Sequence, residues 1–186
     1  MVIKLKNILP KRARSSEKIN PAQKGYTLFE LMLALGVIGI LALIAYPSIM
    51  NSLKTRSLEN EAREIQGILH TAKFQAVKSK LYHRVKFEFE TQGDINNWVY
   101  YIEREDTPNI WNMVPGFAKK VISAELNVTV NLPSDIIVFS PLGFISNFAS
   151  GQNSVTLQSN RLQQQGQPDE RILSVFAGGS IKYIKM

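Results

Sequence analysis

The chain has 186 residues, no cysteine and a formal net charge of +7. It has room for one domain of ordinary size, and it can form neither a disulfide nor a thiolate-based metal site. The charge invites a nucleic-acid reading, but residues 1–25 hold seven of the basic side chains (Lys4, Lys6, Lys11, Arg12, Arg14, Lys18 and Lys24) against Glu17, and the remainder carries 15 basic and 14 acidic residues, a net +1. The basicity belongs to one end of the chain, as expected of a cytoplasmic flank beside a membrane span, and argues little for DNA.

Residues 1–25 show no apolar periodicity, and Pro10 and Pro21 break any helix there. They read as a flexible basic leader. The next stretch, with the sequence KGYTLFELMLALGVIGILALIAYPSIM over 24–50, changes character at Tyr26. From Tyr26 to Met50 it carries one formal charge, Glu30, and at about 1.5 Å per residue it exceeds the roughly 20 residues needed to cross a bilayer. A carboxylate in such a helix costs about 2.5–3.5 kcal/mol at the bilayer centre and less near an edge, and it usually marks function. The plainer reading is a Glu at the membrane edge of an ordinary signal anchor. A secretory signal peptide fits poorly, because the polar leader is too long and no small-x-small site follows the apolar run. Gly36 and Gly39 allow close helix approach but lack the GxxxG spacing.

Lys24-Gly25 before the aromatic Tyr26, Glu30 at the fifth position counted from Tyr26, and an apolar helix with Pro47 near its end together resemble the class III signal of type IV pilins and type II secretion pseudopilins. That resemblance implies cleavage between Gly25 and Tyr26 by a prepilin peptidase on the cytoplasmic side, N-methylation of the new Tyr26 amine, and an assembly role for Glu30. The family most often has Phe where this chain has Tyr26. The chemistry fits the spacing, since a carboxylate one helical turn on can neutralise that amine, or the same amine of a neighbouring subunit, at a depth where ion pairs are weakly screened.

Pro47 would kink the helix, yet Leu58, Ala62, Ile65, Leu69, Ala72 and Ala76 recur at steps of four and three and draw one apolar stripe. The chain therefore divides into a leader (1–25), a transmembrane and assembly helix (26–48), an amphipathic continuation (49–80) and a β-rich domain (81–186). A helix from 26 to 80 would be roughly 80 Å long, too long for a small domain to bury, so its first half belongs in lipid or in an assembly.

Beyond Lys80 the period falls to two. HRVKFE at 83–88 puts Val85, Phe87 and then Phe89 on one face, and NWVYYIE at 97–103 opposes Trp98, Tyr100 and Ile102 to Val99 and Tyr101. Further strands are predicted near 119–123, 126–132, 136–140, 154–158, 171–176 and 180–184, with Gly178-Gly179 as a hairpin turn. Loops are predicted at 91–97, 105–116 and 161–170. The expected fold is α+β, pilin-like, with an antiparallel β domain packed on the amphipathic half of the helix. FSPLGF at 139–144, the strand SVTLQ, the Gln-rich loop and RILSVFAGGSIKYI make this tail similar to the H-type minor pseudopilins and the related T-type minor pilins. Lack of a disulfide turns the balance from a major pilus subunit toward that group.

Candidate chemistry is sparse. His70 and His83 are expected to be partly exposed structural residues, with no carboxylates spaced to make a metal site. No phosphate loop, HExxH, nucleophile elbow or EF-hand pattern occurs, so no catalytic residue, metal or cofactor is assigned and the chain is not expected to be an enzyme. The cluster of Glu103, Arg104, Glu105 and Asp106 reads as a solvated strand end. Trp111 and Phe117 either cap the core or anchor an interface, core capping being favoured. Lys182 and Lys185 could meet phosphates in a DNA-uptake pilin, but two lysines on an edge strand more often protect it from pairing.

The resemblance thus implies an H-type minor pseudopilin in the periplasmic pseudopilus of a type II secretion system; the alternative is a T-type minor pilin of a type IV pilus, active in pilus biogenesis or DNA uptake. The implied partners are the prepilin peptidase and N-methyltransferase, other pseudopilins or pilins, the inner membrane and the assembly machinery, with nucleic acid not favoured. The implied location is the bacterial inner membrane, crossed once, with the leader cytoplasmic and the β domain periplasmic.

Overall fold

The computed structural model describes residues 26–92, 95–167 and 169–186. The leader expected over 1–25, with Gly25 at its end, lies outside the described residues. The chain forms two compact units, one ending at Ile44 and one running from Ala45 to Met186.

Helix α1 runs from Leu28 to Ser79, 52 residues, unbroken by Pro47. Its start is set by Thr27, whose hydroxyl accepts the Glu30 backbone N–H at 3.1 Å while its carbonyl accepts that of Leu31, the arrangement of an N-cap. It stops where Lys80 turns left-handed (φ 58°). Its fully buried residues are Leu58, Ala62, Ile65, Leu69, Ala72 and Ala76, the predicted stripe without exception. The alanines of the stripe are as fully buried as the larger residues.

Two antiparallel sheets pack on that stripe. In the first, β1 (His83–Gln92) lies between β2 (Ile95–Thr107) and β6 (Ile136–Phe139), while β3 (Ile110–Met113) and β4 (Lys120–Val121) both pair with β2. In the second, the order is β5 (Leu126–Asn131), β7 (Ser154–Ser159), β8 (Glu170–Val175), β9 (Ile181–Lys185). Val85, Phe87, Tyr100 and Ile102 from the first sheet meet Val155, Leu157, Leu173 and Val175 from the second over the helix stripe in one core. Val85, Phe87, Tyr100 and Ile102 thus pack as the alternation predicts, whereas Phe89 is 53 % exposed and Val99 and Tyr101 are buried on the opposite face.

The free edge of β6 is covered from within the chain. Asn147 uses its side-chain carbonyl to accept the Val138 N–H and its amide to donate to the Ile136 carbonyl, at 2.9 and 2.7 Å. An amide side chain thereby does the work of a further strand.

Three loop expectations are corrected. The predicted loop at 91–97 is mostly strand, since β1 and β2 stay paired from His83↔Arg104 to Gln92↔Ile95. The predicted loop at 105–116 contains the rest of β2 and the whole of β3, joined through Asn109 in the left-handed region (φ 65°). Only four residues long and largely exposed, β3 has no buried face to produce an alternating pattern. The predicted loop at 161–170 holds most of a short helix, α2 (Asn160–Gln164), pinned by the buried Leu162.

Candidate processing and assembly site

The first turn of α1 is built from Thr27, Leu28, Phe29 and Glu30. Thr27 at the N-cap and Glu30 three residues on form the T-x-x-E pattern of a capping box. The Thr27 half of it is made. This places the Glu30 carboxylate in the first turn, where the partial positive charge of the helix end favours it. Tyr26, just ahead of the cap, is 84 % exposed. The geometry thus brings Tyr26 and Glu30 to one helix end, with the Gly25 side of the expected cleavage point outside the described residues. Thr27 was not singled out from the sequence, although its T-x-x-E signature was readable there.

Every residue from Tyr26 to Ile49 is exposed, and large apolar side chains dominate, among them Phe29, Leu31, Met32, Leu35, Ile38 and Leu41. Exposed apolar surface on this scale in one helix needs a non-aqueous or protein cover. α1 is long and apolar enough to cross a membrane. Gly36 and Gly39 have nothing within 4 Å, so a neighbouring helix could approach closely at either.

The candidates on the β domain separate. Trp111 does not cap the core. It lies on the outer face of the first sheet with the Arg84 guanidinium 4.3 Å above its ring, and Arg84 in turn pairs with Glu103 at 2.5 Å. The reason is register: Trp111 pairs opposite Glu105, a residue on the same outer face as Glu103. Phe117 is the aromatic of that segment that packs against the core. The expected solvated cluster is tied down, since Arg104 binds Asp106 at 2.6 Å and Glu105 accepts the Asn109 N–H.

Lys182 and Lys185 lie on β9, the edge strand of the second sheet, and both are exposed. Three residues apart on a strand, they point to opposite faces. Lys185 shares its face with Tyr183, which packs against the core and lies under Arg63 of α1. The two lysines do not form one cationic patch.

His70 is exposed, but His83 is buried, which corrects the expectation of partial exposure for both. His83 Nδ1 donates to the Leu81 carbonyl at 3.1 Å, and burial lowers its pKa below the ordinary histidine value. Among the described residues, no three His, Cys, Asp or Glu side chains converge to hold a metal ion.

An unpredicted ionic cluster joins α1 to the second sheet. Arg171 on β8 is fully buried and pairs with Asp169 in a two-pronged contact, and Glu59 of α1 lies near enough to add to the field on Arg171. Although desolvation opposes both charges, Asp169 holds the Arg171 pKa above its ordinary value and Arg171 holds that of Asp169 below. A buried arginine inside an alternating strand pattern leaves no mark in the sequence.

Comparisons with known proteins bear on both halves of the chain. Residues 20–46 match the prokaryotic N-terminal methylation motif. The type IV major pilin protein PilA of Myxococcus xanthus is 42 % identical over 55 residues, which are 30 % of this chain and 24 % of that protein. This chain therefore spans about a quarter of the length of the curated relative it matches. In three dimensions the chain is similar to the minor pseudopilin EpsH from the type 2 secretion system of Vibrio cholerae, with a TM-score of 0.51 at 8 % identity over 69 % of this chain and 97 % of that one. At that identity the likeness is one of fold, a long helix packed on antiparallel sheets.

Proposed function

We propose that this chain, a member of the type IV pilin and pseudopilin family by its methylation motif and its pilin-like fold, is an H-type minor pseudopilin that assembles into the periplasmic filament of a type II secretion system. The observation that carries the reading is the first half of α1. Its apolar surface is exposed from Tyr26 to Ile49, it begins at a capped turn holding Tyr26 and Glu30, and it adjoins the expected cleavage point. Such a helix is held by lipid until neighbouring helices replace the lipid, so assembly exchanges one apolar cover for another at little net cost in burial. The Tyr26 amine freed by cleavage and a Glu30 carboxylate then fix register between subunits, because either charge left unpaired at that depth is costly.

In this reading the prepilin peptidase cuts after Gly25 and methylates Tyr26, the body faces the periplasm, and the partners are other pseudopilins and the inner-membrane assembly machinery. The chain serves as a structural subunit and performs no catalysis. The likeness in fold to a minor pseudopilin supports the secretion system over a pilus. The second reading, a T-type minor pilin, draws on the similarity to a type IV pilin; its DNA-binding form is weakened by the opposite facing of Lys182 and Lys185.

The test is the intact mass of the membrane-extracted chain made with and without an active prepilin peptidase. The expected result is loss of residues 1–25 and gain of one methyl group only with the peptidase, abolished by Gly25→Val. An unchanged mass beside an active peptidase sinks the reading. Glu30→Ala is expected to be processed normally yet to fail to co-purify with filament subunits.

A further inference from the structure

We propose that Asn127 is an acceptor for N-linked glycosylation, taking an oligosaccharide from a polyprenyl diphosphate carrier at the periplasmic face of the membrane. The inference rests on the reading that the β domain is exported. Asn127, Val128 and Thr129 form an N-x-T acceptor triplet, the one such triplet in the sequence. Glu125 stands two residues ahead, and an acidic residue at that place completes the bacterial form of the motif. From the turn before β5 into the strand, exposed and covered residues alternate. Glu125, Asn127 and Thr129 are exposed, Leu126 is buried, and Val128 packs against the core. A period of two puts Asn127 and Thr129 on the same face of the strand, so amide and hydroxyl are offered to an enzyme from one side.

Two further observations favour the site. The amides of Asn131, Asn147, Asn153 and Asn160 donate to backbone carbonyls, whereas among the described residues the Asn127 side chain makes no hydrogen bond, and it borders an open cleft. Glu125 is held by Lys54 but remains 59 % exposed, and an ion pair at the surface is weak enough to yield to another cation. The second observation is the strand itself. β5 is an edge of its sheet, and its sequence LNVTVN holds neither charge nor proline, unlike the lysine-bearing edge β9. Such an edge invites pairing with another chain, and a bulky, solubilising sugar on Asn127 closes it. In the transfer the Asn127 side-chain nitrogen attacks the anomeric carbon of the first sugar. The new C–N bond forms as the bond from that carbon to the diphosphate oxygen breaks, polyprenyl diphosphate leaves, and the amide gives up one proton.

The experiment expresses the full chain in a bacterium equipped with a bacterial oligosaccharyltransferase and its polyprenyl-diphosphate-linked oligosaccharide, beside an established acceptor protein. Intact mass and the modified peptide are read after extraction in detergent. The expected result is a gain of one oligosaccharide on the peptide holding Asn127, lost in Asn127→Gln and Thr129→Ala, kept in Thr129→Ser, and largely lost in Glu125→Gln. An unmodified chain beside a modified acceptor, or a sugar carried elsewhere, overturns the site. A Glu125→Gln chain modified as fully as the wild type overturns the part given to the carboxylate. Protease digestion of spheroplasts tells the failures apart. A β domain cut from outside yet unglycosylated refutes the acceptor alone, whereas one protected from the protease refutes the exported reading and the glycan with it.

Discussion

At the scale of single residues, Gly179 is the most tightly enclosed of the described glycines. It turns the β8–β9 hairpin at φ 73°, and a Cβ built on it would stand 1.9 Å from the Gly143 carbonyl oxygen, a backbone atom that cannot swing aside. Its own carbonyl accepts the Lys73 ammonium at 2.8 Å, so hairpin, loop and helix meet there. Gly179→Ala adds left-handed strain of about 1–2 kcal/mol to a backbone clash, and chemical denaturation should show a loss above about 2 kcal/mol. Gly178→Ala, with nothing within 4 Å, should change the midpoint little. His83 gives a pH signature. Burial lowers its pKa, so the unfolded chain takes up the proton first as pH falls. The contribution is whole above the unfolded value near 6.5 and is lost as pH drops through that value toward the lower folded one. Thermal melts between pH 7 and 5 should show falling stability in the wild type and a flatter profile in His83→Asn. Paired carboxylates such as Asp106 and Asp169, whose pKa values are lowered, act only at more acid pH.

At the scale of elements, the amphipathic half of α1 is held to the second sheet by two unlike devices. Leu58, Ile65 and Leu69 supply burial at roughly 1.5–3 kcal/mol each, while Arg171 and Asp169 supply an ion pair whose arginine is fully buried. Such a pair recovers little more than its own desolvation, but removing one partner strands the other. Arg171→Met alone should therefore cost about 3–5 kcal/mol in urea denaturation, and the double change Arg171→Met with Asp169→Asn should recover most of it. Recovery of none would mean that the arginine acts through shape and packing rather than through its charge. The element boundaries show what sequence patterns carry. The α1 stripe and the inner face of β1 were readable because each has one wet side and one dry side, whereas β2 buries Val99 and Tyr101 as well as Tyr100 and Ile102. β3 and α2 were not readable, because one is nearly all exposed and the other hangs on a single buried leucine.

At the scale of the molecule, the two units differ in what holds them. Residues 45–186 contain the whole described core, whereas the described residues of the first unit bury none of their side chains. Removing residues 1–49 should therefore leave a water-soluble domain whose unfolding free energy matches that of the intact chain in detergent within about 0.5 kcal/mol. A larger loss would show that the apolar helix braces the domain.

The sequence by itself determined the N-terminal methylation motif, the extent of the apolar helix, the helix stripe and the inward faces of Val85, Phe87, Tyr100 and Ile102. Each of these depends on local composition or on a period of 3.6 or 2, and physical chemistry fixes such features before the chain folds. Only the tertiary structure decided that Trp111 lies outside the core under Arg84, that His83 and Arg171 are buried, and that Lys182 and Lys185 face apart. Those outcomes depend on which strand pairs with which and in what register, and a shift of one residue would have reversed the face on which each side chain stands.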